Sequence, residues 1–399
     1  MVSRSPRPPF SRRTRWETEP NALTRAVRAH RAAGRTLLDL TVSNPTAVGL
    51  RYAPPFYAGL VDARSADYEP EPLGLASARQ AVADHSRARG GSGDPDSVWL
   101  CASTSEAYAW LLALLCDPGD AVLVPRPGYP LLDWIADLSG ARLVPYPLLY
   151  DGSWWLDVAA LRAALAREER ARAIVCIAPG NPTGHYLAGP ELRALEDLCL
   201  ERGLALVVDE VFADYPLRED PDRVAHAAGP RRCLTFVLSG LSKVAALPQW
   251  KLAWGLACGP GADAALERMA FVADTFLSAA TPVQLALPAI LAAAPAMQER
   301  IRARTRANLA ALRRELAATP LAPLDAEGGW SAILRLPALP DWSDERVALR
   351  LLERAGVLVQ PGALFDLEGC HAVLSLLCEP EILVGGVRRI TREVEVLLA

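Results

Sequence analysis

Residues Leu234–Gly255 read Leu-Thr-Phe-Val-Leu-Ser-Gly-Leu-Ser-Lys-Val-Ala-Ala-Leu-Pro-Gln-Trp-Lys-Leu-Ala-Trp-Gly. An apolar run, Leu234–Leu238, ends in small and hydroxylated residues, Ser239-Gly240-Leu241-Ser242, and Lys243 follows. The 42 basic residues of the chain include only two lysines, Lys243 and Lys251, and both lie here. A primary amine can form a Schiff base with an aldehyde, which a guanidinium cannot do at neutral pH. Lysine kept at two nearby positions in an arginine-rich chain therefore points to amine chemistry. Taken alone, the stretch is equally compatible with two surface lysines in a loop.

Upstream of this run the chain alternates strand-like and helix-like segments. Val98–Cys101 precedes a helix over Glu106–Cys116, and Ala121–Val124 precedes one over Leu131–Leu138. Arg142–Tyr146 leads through a Trp-containing loop to a helix over Val158–Arg167. Ala173–Ala178, a helix over Glu191–Arg202, Leu204–Asp209 and Leu234–Leu238 complete the series. Continuous apolar strands are expected where helices cover both faces of a parallel sheet, so the pattern predicts an α/β fold. In such sheets ligands bind beyond the carboxyl ends of the strands. Beyond Pro282 the pattern changes: helices are predicted over Gln284–Ala293, Gln298–Ala318 and Asp344–Ala355. Strands are predicted over Ser331–Leu336, Val357–Val359 and Ala372–Leu377. The expected division is an arm (1–20), an N-terminal segment packing with the small domain (21–50), a large domain (51–282) and a small α+β domain (283–399).

Composition narrows the function classes. A chain of 399 residues with 51% hydrophobic and 22% charged residues is long enough for two packed domains and is not disordered. A net charge of −4 gives no electrostatic reason to expect nucleic acid or an anionic membrane as partner. The eight cysteines form no CxxC pair and lie mostly in apolar runs, which suits reduced thiols in a cytoplasmic protein. The five histidines show no metal-ligand spacing, so no metal is expected. The basic, Pro-rich start lacks the apolar core of a secretory signal.

The polar residues worth noticing sit just after strands. Ala102-Ser103-Thr104-Ser105-Glu106 opens a helix, and a helix N-terminus with hydroxyl side chains suits a phosphate, although an ordinary N-cap has the same look. Tyr129 lies in a proline-stiffened turn, Pro125–Pro130, that could present its ring as a stacking plate. Asn181, in Pro-Gly-Asn-Pro-Thr-Gly, precedes a proline and is held out of helical geometry. Asp209 and Glu210 follow Leu-Ala-Leu-Val-Val, and a carboxylate there needs either a cationic ligand or an arginine partner.

This ordered set resembles the class I/II aminotransferases among the fold-type I pyridoxal-phosphate enzymes, over roughly Leu37 to the end. The resemblance implies a mostly parallel seven-stranded sheet between helices, a smaller α+β domain and pyridoxal 5'-phosphate as cofactor. It implies that Lys243 forms the Schiff base and shuttles a proton, that Asp209 pairs with the pyridine nitrogen, and that Tyr129 stacks on the ring. Asn181 would bond the phenolic oxygen, and Ser103, Thr104, Ser105 and Ser242 would hold the phosphate. Lys251 stands where the family usually has a phosphate-binding arginine. Tyr68 resembles the tyrosine that reaches the neighbouring subunit's phosphate, which implies a homodimer with shared sites. The implied reaction is ping-pong transamination between an amino acid and a 2-oxo acid.

Two departures stand out. Phe212 occupies the place of a tyrosine that usually donates to the phenolic oxygen, and Tyr215 is the nearest substitute. In Val373-Leu374-Ser375-Leu376 the usual substrate-carboxylate arginine is replaced by Leu374. The carboxylate would then fall to Asn181 and the Ser43–Asn44 loop, or to Arg335 or Arg388, or the substrate would lack it. A lyase or decarboxylase using the same lysine is the rival enzyme reading. A transcriptional regulator with this fold would carry a DNA-binding domain ahead of it, where fewer than 40 residues stand here. A dinucleotide-binding oxidoreductase would place G-x-G-x-x-G after the first strand, whereas Gly90, Gly91 and Gly93 precede it.

Overall fold

The computed structural model describes residues 10–277, 279–338 and 342–399. Its large sheet has eight strands: β1 (Val98–Cys101), β2 (Ala121–Arg126), β3 (Arg142–Tyr150), β4 (Trp154–Leu156), β5 (Ala171–Ile177), β6 (Ala205–Asp209), β7 (Thr235–Gly240) and β8 (Ala253–Cys258). They lie in the order β1-β8-β7-β6-β5-β2-β3-β4. The strands from β7 to β3 run parallel; β8 is antiparallel to both its neighbours, and β4 folds back antiparallel on β3. The expected seven strands are thus joined by an eighth, the three-residue edge strand β4, in the segment read from sequence as a loop.

Every residue of β6, β7 and β8 is buried, because helices cover both faces. Alternate side chains feed two cores. Leu206, Val208 and Val237 pack toward the helices Val158–Ala166, Gly189–Arg202 and the first part of Thr281–Leu316. Val207, Phe236 and Leu238 pack toward Thr104–Leu115, Leu131–Ser139 and Ala262–Phe276. From β2 the chain goes to β3 on one side and returns through β4 to β5 on the other. That reversal opens a crevice at the carboxyl ends of the strands.

A second sheet of four antiparallel strands, Ala322–Pro323, Ser331–Arg335, His371–Ser375 and Gln360–Pro361, carries the smaller core. Leu38–Asp39 pairs parallel with Val357–Leu358, tying the N-terminal segment to this part of the chain. Of the arm expected over 1–20, the first nine residues lie outside the described residues. Within the rest, Trp16 Nε1 donates to Asp137 at 3.0 Å and its ring lies 4.9 Å from Trp134.

The two helices predicted over Gln284–Ala293 and Gln298–Ala318 are one helix, Thr281–Leu316, with Pro288 and Pro295 inside it. Both prolines are exposed, while Val283, Leu287, Ile290, Ala294, Met297 and Ile301 form an unbroken buried stripe. Burial of that stripe outweighs the backbone bonds that proline removes. No helix among the described residues is long and apolar enough to cross a membrane.

Candidate active site

One cavity of about 420 Å³ opens beyond the carboxyl ends of the strands, between the two sheets. Ser43, Ser103, Thr104, Ser105, Tyr129, Asn181, Asp209, Ser242, Lys243 and Lys251 all line it. Asn44 and Tyr68 do not. The Asn44 side-chain Oδ1 accepts from the Thr46 amide at 3.0 Å and hydroxyl at 2.9 Å, capping a short 3-10 turn. Tyr68 is 73% exposed on the protein surface.

Lys243 stands just past β7, on a single helical turn, Leu241–Val244, that starts where the strand ends. Its amine lies 5.0 Å from the Phe212 ring centroid and 4.8 Å from that of Trp330. Burial disfavours the ammonium and brings its pKa down to about 8, with Asp209 pulling the other way. The amine is therefore neutral in a useful fraction near physiological pH.

Asp209 ends β6. Its carboxylate accepts from the Tyr108 hydroxyl at 3.0 Å and from the Val211 amide at 3.0 Å. Burial still raises its pKa to about 6, against both hydrogen bonds and the Lys243 charge. Glu210, the next residue, has the arginine partner that Asp209 lacks. It contacts Arg89 at 3.4 Å, accepts from the Ala227 amide at 2.6 Å and bonds the His226 ring. Burial opposes its ionisation too, yet His226, Arg89 and that amide hold its carboxyl below the usual range. The strand end thus separates two carboxylates, one neutralised by the protein and one facing the cavity without a guanidinium.

The helix Thr104–Leu115 begins at the same cavity. Ser103 caps it by accepting from the Glu106 amide at 3.1 Å, and Glu106 accepts from the Ala102 amide at 2.5 Å. First-turn amides have no partner within a helix, and Ser103, Thr104 and Ser105 of this helix start line the same cavity as Ser242. Lys251 also lines the cavity, with its backbone in the left-handed region at φ 48°, an arrangement that costs a non-glycine residue energy and is found at functional positions. A Cβ added at Gly240 would come within 2.8 Å of the Ala253 Cβ, so a glycine is needed where β7 meets β8 beside the cavity.

Tyr108 and Trp330 escaped the reading of the sequence. Tyr108 stands one helical turn beyond Thr104 and shares its face, which is the signal that was available. Trp330 follows Gly328-Gly329, and a Cβ at Gly328 would meet the Tyr186 ring at 2.3 Å, so that turn is glycine by necessity. Tyr215 does not make good the missing donor at Phe212: its hydroxyl donates to the Lys243 backbone carbonyl. The Asn181 carbonyl oxygen accepts from the Ser331 hydroxyl at 3.2 Å, which leaves its NH₂ group available to donate.

Comparison with known proteins follows this geometry. The chain is 32% identical to an alanine aminotransferase of Mycobacterium tuberculosis over 269 residues, covering 65% of this chain but only 61% of that enzyme. It is 29% identical to an arginine–pyruvate transaminase of Pseudomonas aeruginosa over 391 residues, covering 94% and 93% of the two chains. An alanine aminotransferase from Pyrococcus furiosus superimposes with a TM-score of 0.87 at 22% identity, covering 97% of this chain and 100% of that one, and so shares the fold. The model for "Aminotransferase class I and II" matches residues 61–373, and the chain belongs to that family.

Proposed function

We propose that this chain is a pyridoxal-phosphate-dependent aminotransferase that moves an amino group from an amino acid to a 2-oxo acid in two half-reactions. The observation that carries the reading is the pairing of Lys243 with Asp209 in one cavity: a buried amine near pKa 8 and a buried carboxylate without a guanidinium partner.

Pyridoxal phosphate is the cofactor of this family, and the residues present fit it. Asp209 offers a carboxylate in want of a cation, as a protonated pyridine nitrogen would be. The Ser103–Ser105 helix start, Ser242 and Lys251 offer N–H, O–H and ammonium groups to a phosphate. Tyr129 offers a ring face, Asn181 an amide donor and Lys243 the amine that attaches covalently. When bound, the cofactor supplies an electron sink for the pair released at the substrate α-carbon.

The protein's own part is to position and to move a proton. Lys243, once free, takes the proton from the substrate α-carbon, and its depressed pKa matches that task near neutral pH. Phe212 and Trp330 present ring faces to the ammonium that results and add to the stabilisation that Asp209 gives it. Asp209, held by Tyr108 and the Val211 amide, keeps its charge on the cofactor side of the cavity. The eight free cysteines support a reducing, cytoplasmic setting, and exposed Tyr68 supports a homodimer in which the partner's Tyr68 completes the phosphate site.

The test is to load the purified chain with pyridoxal phosphate, reduce it with borohydride and read peptide masses. Attachment is expected at Lys243 and absent in Lys243→Ala. The loaded protein is then mixed with amino acids, and conversion to 2-oxo acids is measured. A cofactor adduct on another residue, or none, would overturn the reading.

A further inference from the structure

From the residues that line the cavity, we propose that the site selects substrates by side chain and not by α-carboxylate, so that primary amines lacking a carboxylate are taken about as well as the corresponding amino acids. This rests on the aminotransferase reading and names the substrate class of the same site.

The only cations among the described residues lining the cavity are Lys243 and Lys251. The proposed function gives Lys251 to the cofactor phosphate and Lys243 to the reaction. The strand His371–Ser375, which forms part of the wall, contains no arginine, and Leu374 lines the cavity at 1% exposure. The three guanidiniums with the best claim on a carboxylate are engaged elsewhere. Arg335 lies 5.8 Å above the Tyr150 ring and is absent from the lining. Arg388 is paired with both oxygens of Glu315, at 2.7 and 3.1 Å. Arg126, near the Phe365 end, is paired with Asp133 at 2.6 Å and Asp366 at 2.8 Å.

What the rest of this wall offers instead is neutral: the cavity is also lined by Ser43, Ser331 and Gln360 and by the apolar Leu131, Ile135 and Phe365. A carboxylate taken from water into this wall meets hydroxyl and amide donors but no guanidinium, so its bonds carry charge on the acceptor side only and lack bidentate geometry. It also loses hydration that no opposite charge returns. An apolar side chain gains from the same wall in proportion to the area it buries. The balance favours recognition of the side chain.

The experiment uses the cofactor-loaded full chain and two pairs of compounds that differ only in the carboxylate. Calorimetry compares 4-methylpentanoate with 4-methylpentanamide as non-reacting ligands. Conversion of cofactor to its amine form, followed by absorbance, compares leucine with 3-methylbutan-1-amine. The expected result is a carboxylate preference below tenfold in both pairs. A preference of tenfold or more in the calorimetric pair overturns the inference, whatever the kinetics show. Failure of both amino donors to react, with the ligands binding, leaves the calorimetric ratio to judge this inference, while the Lys243 adduct judges the aminotransferase reading separately.

Discussion

Asp209 is 7% exposed and receives two hydrogen bonds, yet burial carries its pKa from 3.8 up to about 6. The folded apoprotein therefore keeps a proton that the unfolded chain has already lost, and the stability tied to it falls as pH rises through 6. Lys243, near 8, stays charged over most of that window. Asp209→Asn removes the penalty: the apoprotein variant should gain on wild type by about 1 kcal/mol more at pH 7 than at pH 5. Urea unfolding at the two pH values measures this, and a gap independent of pH would show that the carboxylate carries no burial cost. With pyridoxal phosphate bound the order should reverse, since only the wild type gains an ion pair. Lys243 and Asp209 were legible from sequence because a rare amine and a stranded carboxylate each contradict their surroundings. Trp330 was not legible, because its contact with the lysine joins parts of the chain far apart in sequence and no local pattern encodes it.

At the scale of elements, the helix Thr104–Leu115 does two jobs with one face. Its first turn meets the cavity, and one turn on, Tyr108 bonds Asp209. A buried hydrogen bond to a charged group contributes about 1.5–3 kcal/mol, so Tyr108→Phe should weaken pyridoxal phosphate binding by roughly tenfold or more. Equilibrium titration of the apoprotein with cofactor checks this; an unchanged dissociation constant would confine Tyr108 to packing. The parallel strands could be read from sequence because burial on both faces leaves continuous apolar runs. β8 could not: Gly255 interrupts its pattern beneath Trp99, where a Cβ would come within 2.2 Å, and an antiparallel insertion between β1 and β7 obeys no crossover rule. The prolines of Thr281–Leu316 misled for the opposite reason, a strong local signal overruled by a tertiary stripe. Pro295→Ala restores a backbone donor on the exposed side of that helix and should raise stability by about 1–2 kcal/mol, read from the urea midpoint. A loss of stability would mean that the proline ring itself contributes to packing.

At the scale of the molecule, the cavity is assembled from parts far apart in sequence. The large sheet brings Asn181, Asp209 and Lys243, the small sheet brings Ser331, Leu374 and Ser375, and the N-terminal segment brings Thr41 and Ser43. The Leu38–Asp39 pairing with Val357–Leu358 and the bond from the Ser375 hydroxyl to the Val42 carbonyl, at 2.6 Å, hold that third part in place. Tyr68 is the exception, outside the cavity and 73% exposed, with Val61 nearby in sequence at 84% and Phe271 at 79%. Large side chains left in water are costly unless a second surface covers them. If two copies share their sites through Tyr68, chains bearing Lys243→Ala and chains bearing Tyr68→Ala should each be impaired alone. Mixed, unfolded and refolded together, they should regain activity. In the hybrid, the site with an intact Lys243 receives the partner's Tyr68, while the other site lacks its lysine, so at most one site of the two works. Equal mixing gives hybrids in about half of the dimers, so recovery of about a quarter of wild-type activity is expected, by the statistics of random pairing and the closed two-fold symmetry of a dimer. Recovery indistinguishable from the sum of the two separate variants would mean that each chain completes its own site.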